Sequence, residues 1–272
     1  MTASVEYWDD IAEQFGADRQ SATWRCYMQQ RYTELVQRWF AGTPEGPTLK
    51  TDLFEEAVTP YHPFGELGTQ AMGYDLSPAV VRQARARLQQ ERGSDALPPL
   101  VVADARCLPW ATSSIARILS GSSLDHFPQH SDIAVALGEL ARCLQPGGCL
   151  VVTFDNPHNP LIWLRNALPF QWLTRIGLVP YYVGATYSRS DAIHTLTALG
   201  LEVTHVGTMA HAPRAPAIWI SDWYARRQRG VSPYWLRLFE AFDRLFNGSR
   251  FQFVTGYYLA VRAVKPTPGH GA

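Results

Sequence analysis

The stretch AMGYDLSPAVVRQAR at 71 to 85 constrains this chain more than any other. It joins a short apolar strand, a single acid at the strand's end, a helix-starting Ser-Pro and an amphipathic helix in that order. An acid at the carboxyl end of a strand sits in the ligand crevice of a parallel α/β sheet, where its two oxygens can accept both hydroxyls of a ribose. Asp75 therefore points to a nucleoside-bearing cofactor. The plainer alternative is an acid stabilised by the dipole of the helix that follows.

The flanking segments extend the same pattern. Apolar runs at 48 to 54, 70 to 75, 99 to 103, 115 to 121 and 148 to 154 read as five strands. Helical periodicity separates several of them, at 77 to 92 through Val80, Val81, Ala84 and Leu88, and at 131 to 144 through Ile133, Val135, Leu137, Leu140 and Leu144. Alternating strands and helices imply right-handed crossovers and a mostly parallel sheet with helices on both faces. A helix at 188 to 199 and a strand at 201 to 210 follow, then a strand at 251 to 264 after a long aromatic and arginine-rich segment. Two consecutive strands without a simple crossover helix pair antiparallel. Residues 5 to 40 read as one or two amphipathic helices, with Tyr7, Trp8, Ile11, Phe15, Trp24, Tyr27, Met28 and Tyr32 at helical spacing.

Composition supports one large domain with insertions: 272 residues, 46% apolar, 12% aromatic, and no linker or low-complexity run. With 24 basic and 24 acidic residues nothing global favours nucleic acid. Arg226, Arg227 and Arg229 form the densest basic cluster and read as a solvated helix end. Cys26, Cys107, Cys143 and Cys149 show no CxxC pair or zinc spacing, so reduced thiols and no metal are expected. The opening MTASVEYWDD is polar and acidic, unlike a signal peptide. The most apolar segment, 160 to 187, is broken by Arg165, Pro169, Arg175 and Pro180 and falls short of the about 20 apolar residues of a spanning helix. A cytoplasmic chain without integral membrane association is expected.

In order, these segments resemble a class I S-adenosylmethionine-dependent methyltransferase of the small-molecule, type 11-like kind. VEYWDDIAEQFG resembles the N-terminal helix that caps the cofactor, and AMGYDLSPAVVRQAR the second strand with its acid. VVADARCLPWATSSIARIL resembles the adenine-recognising segment, and ALGELARCLQPGGCLVVTF the helix, Pro-Gly-Gly turn and fifth strand. The resemblance implies a Rossmann-like seven-stranded sheet, mostly parallel with an antiparallel last strand, helices on both faces and helical lid insertions. It assigns the ribose hydroxyls to Asp75 beside Leu76, and adenine to the Asp104 carboxylate and the Ala105 backbone N–H. It also implies one domain over 1–272, with a helical cap at 1–45 and lid or substrate insertions at 156–187 and 211–250.

The first motif departs from this pattern. Where the family has an acid and a Gly-x-Gly-x-Gly turn, TLKTDLFEEAVTP places Lys50, then Asp52, Phe54 and Glu56 at the glycine positions. Chemistry offers a replacement: Asp52, Glu55 or Glu56 can pair the sulfonium and ammonium of the cofactor while Lys50 meets its carboxylate. Phe54 can lie against the sulfonium. The alternative is that TDLFEEA simply opens a helix, capped by Thr51 or Asp52.

The acceptor would lie beyond the carboxyl ends of the fourth and fifth strands. In GSSLDHFP, His126 is the candidate base, Asp125 its orienting group and Ser122 a polar contact. The alternative has Asp125 capping the following helix. In FDNPHNP, His158 is a second candidate base, and Asn156 and Asn159 can face the acceptor or bond their own backbone. Tyr181 and Tyr182 are candidates for the acceptor wall. The aromatic content suggests an acceptor that is apolar or aromatic in part. A homodimer or a membrane-surface contact through 160 to 182 and 215 to 250 stays open. The function expected is methyl transfer, O-methylation favoured; its rival is an inactive binding protein with a degenerate cofactor loop.

Overall fold

The structure is a computed structural model that describes residues 5–15, 21–92, 97–175, 182–228 and 230–267. Its strands are β1 (Thr48–Thr51), β2 (Ala71–Asp75), β3 (Leu100–Val102), β4 (Ile115–Gly121), β5 (Leu144–Asp155), β6 (Glu202–Met209) and β7 (Tyr258–Val264), forming one sheet in the order β3-β2-β1-β4-β5-β7-β6. β1 to β5 run parallel, and β7 lies antiparallel between β5 and β6. The chain moves outward from β1 to β3 and then returns to place β4 on the other side of β1. That reversal opens a crevice at the carboxyl ends of β1 and β4.

Both faces of the sheet are covered, which is why the central strands are apolar without strict alternation. Leu119 and Val151 join one core cluster, with α2 (Ala22–Trp39), α3 (Phe54–Val58) and α4 (Pro78–Arg92). Their chain neighbours Ile118, Leu150 and Val152 join the other, with α5 (His130–Cys143) and α8 (Arg189–Ala198). Successive side chains on a strand point to opposite faces, so one short sequence run feeds both cores. α1 (Val5–Phe15) packs against α3 and α4. α9 (Arg214–Gln228) and α10 (Pro233–Phe246) both pack against α2. α6 (Pro160–Ala167) and α7 (Phe170–Arg175) follow β5.

The fold differs from the sequence reading at three places. β1 ends at Thr51, not 54, because Asp52 turns the chain into left-handed backbone at φ 64°. The segment 251 to 264 is not one strand: α11 (Gln252–Thr255) precedes β7, and Gly256 and Asn156 tie that short helix to the end of β5. Pro146-Gly147-Gly148 is a bulge within β5 rather than a turn before it, for Leu144 pairs with Ile115 and Cys149 with Arg117. A Cβ on Gly148 would lie 2.8 Å from both the Ala116 and Gln145 carbonyl oxygens, so the bulge admits only glycine there.

Candidate functional site

A cavity of about 270 Å³ occupies the crevice, walled by the ends of β1, β2, β4 and β5. Asp52, Phe54, Glu55, Asp75, Leu76 and the Asp104-Ala105 pair line it. Trp24, Arg25, Met28 and Tyr32 from α2 line it too, with Arg214 and Tyr258, and Arg25 Nη1 pairs with Glu55 Oε2 at 2.6 Å.

Asp52 is the pivot of the glycine-free turn. A left-handed conformation is costly for most L-residues, and Asp and Asn tolerate it best because the short polar side chain bonds locally. Here Asp52 Oδ1 accepts from Phe54 N at 2.7 Å, starting α3. Lys50, 7% exposed, lies beneath this turn, not on the cavity wall. Its ammonium donates to Glu56 Oε2 at 2.9 Å and to the Asp52 carbonyl. Burial lowers the Lys50 pKa most strongly as a single influence, but Glu56 and Asp52 outweigh it and the net shift is upward. The lysine is thus a charged prop for the loop, engaged with the protein's own acid.

This assigns separate roles to backbone and charge. Asp52→Gly should preserve the loop, and Asp52→Ala should destabilise the protein by about 1 kcal/mol relative to Asp52→Gly. Thermal unfolding of the two variants checks this; equal stability would remove the left-handed turn as a constraint.

Asp75 receives one backbone donor on each oxygen, Ser77 N on Oδ1 and Leu53 N on Oδ2, both at 2.9 Å. Each oxygen keeps a second acceptor position. Burial first, then the Asp52 charge, pushes its pKa up to about 7. The N-terminal helix reaches this end too: Asp9 Oδ1 accepts from Ser77 Oγ and from Ala79 N at 3.0 Å, capping α4 from across the crevice. Asp104 sits at the end of β3 with its carboxylate held by Arg106 Nη2 at 2.7 Å. That hydrogen bond is the main cause of its lowered pKa.

At the end of β4, Ser122 takes a left-handed φ of 49° and donates to Asp125 Oδ2 at 3.0 Å. The same oxygen accepts from Asp155 N at 2.7 Å, which joins the β4 and β5 loops. Burial, then the neighbouring Asp155, raises the Asp125 pKa well above the carboxylate range. His126 Nδ1 pairs at 2.9 Å with the Tyr182 carbonyl. A carbonyl only accepts, so Nδ1 carries the proton and Nε2 is the basic nitrogen of the neutral ring. Burial lowers the His126 pKa, which keeps that neutral form at pH 7. The ring packs edge-on against Trp8, centroids 4.7 Å apart.

The cavity therefore brings together Asp52, Phe54, Glu55, Asp75, Leu76, Asp104, Ala105, Ser122, Asp125 and His126. Other expected residues lie elsewhere. His158 is exposed and away from the wall. Asn156 Nδ2 donates to the Phe253 and Gly256 carbonyls, and Asn159 Nδ2 to the Thr255 carbonyl at 3.0 Å, so both side chains bind α11 to the β5 loop. The Tyr182 contribution is backbone, its N–H donating to Tyr7 Oη at 2.7 Å. Tyr181 lies outside the described residues. The reading of Asp125 as the group orienting His126 gives way to the Tyr182 carbonyl at Nδ1. Absent from the sequence reading of the site are Arg25, Tyr32, Arg214 and Tyr258. Tyr32 Oη meets Thr153 Oγ1 at 3.0 Å, and Arg214 Nη1 donates to Tyr257 Oη at 2.7 Å. Helical aromatic spacing marked Tyr32 as buried, but nothing local distinguishes a core stripe from a cavity wall.

A mostly parallel sheet in this strand order, with the crevice at its switch point, defines a Rossmann-like fold. A family model described as a methyltransferase domain matches residues 57–152. Trans-aconitate 2-methyltransferase of Methylobacterium radiotolerans is 28% identical over 208 residues, 74% of this chain and 72% of that protein. Demethylmenaquinone methyltransferase of Chlorobaculum parvum is 29% identical over 109 residues, 38% of this chain and 41% of that protein, so the chain spans under half the length of that relative. Among solved structures, geranyl diphosphate C-methyltransferase from Streptomyces coelicolor, in complex with Mg2+, geranyl diphosphate and S-adenosyl-L-homocysteine, superimposes with TM-score 0.55 at 15% identity, covering 87% of this chain and 79% of that one. The [4+2]-cyclase SpnF superimposes with TM-score 0.56 at 20% identity, covering 87% and 80%. The chain thus resembles methyltransferases over residues 57–152 and shares the Rossmann-like fold of these structures.

Proposed function

We propose that this chain transfers a methyl group from S-adenosylmethionine to a small, partly apolar acceptor, with oxygen the favoured atom. The observation that carries the reading is the convergence of Asp75, Asp104, Asp52 and Glu55 on one cavity. That donor set fits the cofactor, whose diol and adenine amino group donate hydrogen bonds and whose sulfonium and ammonium are cationic. Bound there, the cofactor supplies an electrophilic methyl group. Asp75 accepts the ribose hydroxyls on its remaining lone pairs, and the Asp104 carboxylate with the Ala105 N–H recognises adenine. Asp52 offsets the cationic end, Glu55 shares its charge with Arg25, and Phe54 offers its ring face.

At the acceptor end the aromatic wall from α2 and Tyr258 excludes water. Arg214 is a polar anchor for an acceptor oxygen or carboxylate. His126 Nε2 takes the acceptor proton as the nucleophile attacks, and in-line positioning supplies most of the acceleration. The rival reading, an inactive binding protein with a decayed loop, is disfavoured because Asp52 keeps the backbone path that glycine would take.

Titration calorimetry with S-adenosylmethionine and S-adenosylhomocysteine tests the proposal. A dissociation constant on the order of micromolar to 1 mM is expected; no heat at saturating ligand would make the inactive protein the better reading. His126→Ala should then lower turnover about 100-fold or more while changing cofactor affinity little. Because burial lowers the His126 pKa, the wild-type rate should hold to below pH 6.5 before falling with further acidification. An unchanged rate in the variant would remove His126 as the base.

A further inference from the structure

α9 and α10 turn inward through Ala217 and Phe239, yet each also exposes a second stripe of large apolar side chains. On α9, Trp219 and Trp223 lie one helical turn apart, 65% and 40% exposed, and Arg226 and Arg227 continue that face. On α10, Tyr234 is 70% exposed and leads into Arg237 and Leu238. The two stripes meet, for Trp223, Arg227, Tyr234 and Arg237 line one shallow surface groove. Arg227 stacks its guanidinium 4.3 Å from the Trp223 ring centroid.

Charge identifies what covers this face. Residues 214 to 250 hold seven arginines against three acids in a chain whose net charge is zero. Of the acids, Asp243 is buried against Tyr27 and Arg31, and Asp222 accepts from Ser21. Glu240 pairs with Arg244, so Arg226, Arg227 and Arg237 are the exposed cations beside the aromatic stripe. A two-fold dimer would set this surface against its own copy, cation to cation. An anionic bilayer surface complements it: tryptophan and tyrosine rings favour the headgroup level, and arginines reach the phosphates while their stems lie on apolar surface. Among the described residues no helix is long and apolar enough to cross a membrane, so the contact is superficial.

The geometry points to docking of this chain on anionic lipid membranes through the outer faces of α9 and α10. α9 borders the cavity, for Arg214 at its start lines the wall, and both helices pack on α2. A docked molecule thus holds its acceptor end beside the lipid. This inference does not depend on methyl transfer.

The test is co-sedimentation of the full chain with phosphatidylcholine vesicles, with and without about one-quarter phosphatidylglycerol, at two salt concentrations. Binding is expected on the anionic vesicles alone and should weaken with salt. Arg226→Ala with Arg227→Ala should lower partitioning by about fivefold per arginine, and Trp219→Ala with Trp223→Ala should lower it too. Unchanged circular dichroism and S-adenosylhomocysteine affinity in these variants show that the fold and cofactor site survive. No partitioning to anionic vesicles, or equal partitioning of all variants, overturns the proposal. So does a concentration-dependent dimer broken by the same substitutions without vesicle binding, which assigns the face to a second copy.

Discussion

Asp75→Ala should lower affinity for S-adenosylhomocysteine by about 100-fold or more, read by titration calorimetry. Two charge-assisted hydrogen bonds to a diol are each worth about 1.5 to 3 kcal/mol, and both end on this one carboxylate. The effect carries a pH signature in the wild-type protein. The ionised carboxylate is the form that accepts both hydroxyls, and its pKa stands at about 7 in the free protein. Affinity should therefore rise with pH through about 7, with proton release on binding visible as a buffer-dependent enthalpy. Stability has the opposite sign. Folding raises this acid above its ordinary value of 3.8, so its contribution is full below that value and declines until pH passes about 7. Retained affinity in the variant would end the assignment of Asp75 to the ribose. Its own fold control is the loss of partners for Leu53 N and Ser77 N, which should lower the unfolding midpoint modestly.

The second large effect concerns the prop beneath the turn. Glu56 is fully buried and Lys50 7% exposed, so Glu56→Ala strands an ammonium in the core. The expected loss is about 3 to 5 kcal/mol by denaturant unfolding. Lys50→Met with Glu56→Leu removes both charges and should cost far less, because no unpaired ion is left and apolar volume replaces the pair. Additive losses in the double variant would show that the two groups act independently and that the ion pair does not hold the turn.

Both experiments address a loop whose composition was readable and whose construction was not. That TDLFEEA would open a helix followed from its acids and its place after a strand, and α3 starts at Phe54 with Asp52 supplying a local hydrogen bond. That Lys50 would turn under the loop toward Glu56 depends on which face of a buried strand points to which neighbour. The two-residue period permits either destination for a side chain in a sheet covered on both faces. His126 and His158 show the same limit. Both follow strands in the crevice, but one is packed against Trp8 and held by Tyr182 while the other is exposed. Asn156 and Asn159 had two readings from their proline-rich context; Oδ1 of each accepts from the backbone two residues on, the local reading, while Nδ2 of each donates to carbonyls at the end of α11. Those carbonyls lie about a hundred residues downstream, beyond the reach of any local pattern.

What the chain determined by itself was everything set by short-range geometry. Strand and helix periods, the Ser-Pro start of α4, and Asp75 at the end of β2 depend on a few neighbours each, and their alternation admits few sheet topologies. Tertiary structure alone decided the occupants of the cavity. An aromatic stripe on α2 has the same spacing whether it faces a core or a ligand, and α2 became a cavity wall only once the strand ends and the start of α9 enclosed it. Likewise, the titration of Asp75 and Asp125 follows from burial and from carboxylates brought close by separate loops, Asp52 and Asp155 respectively. Desolvation and charge proximity are properties of the assembled crevice, and no single segment carries them.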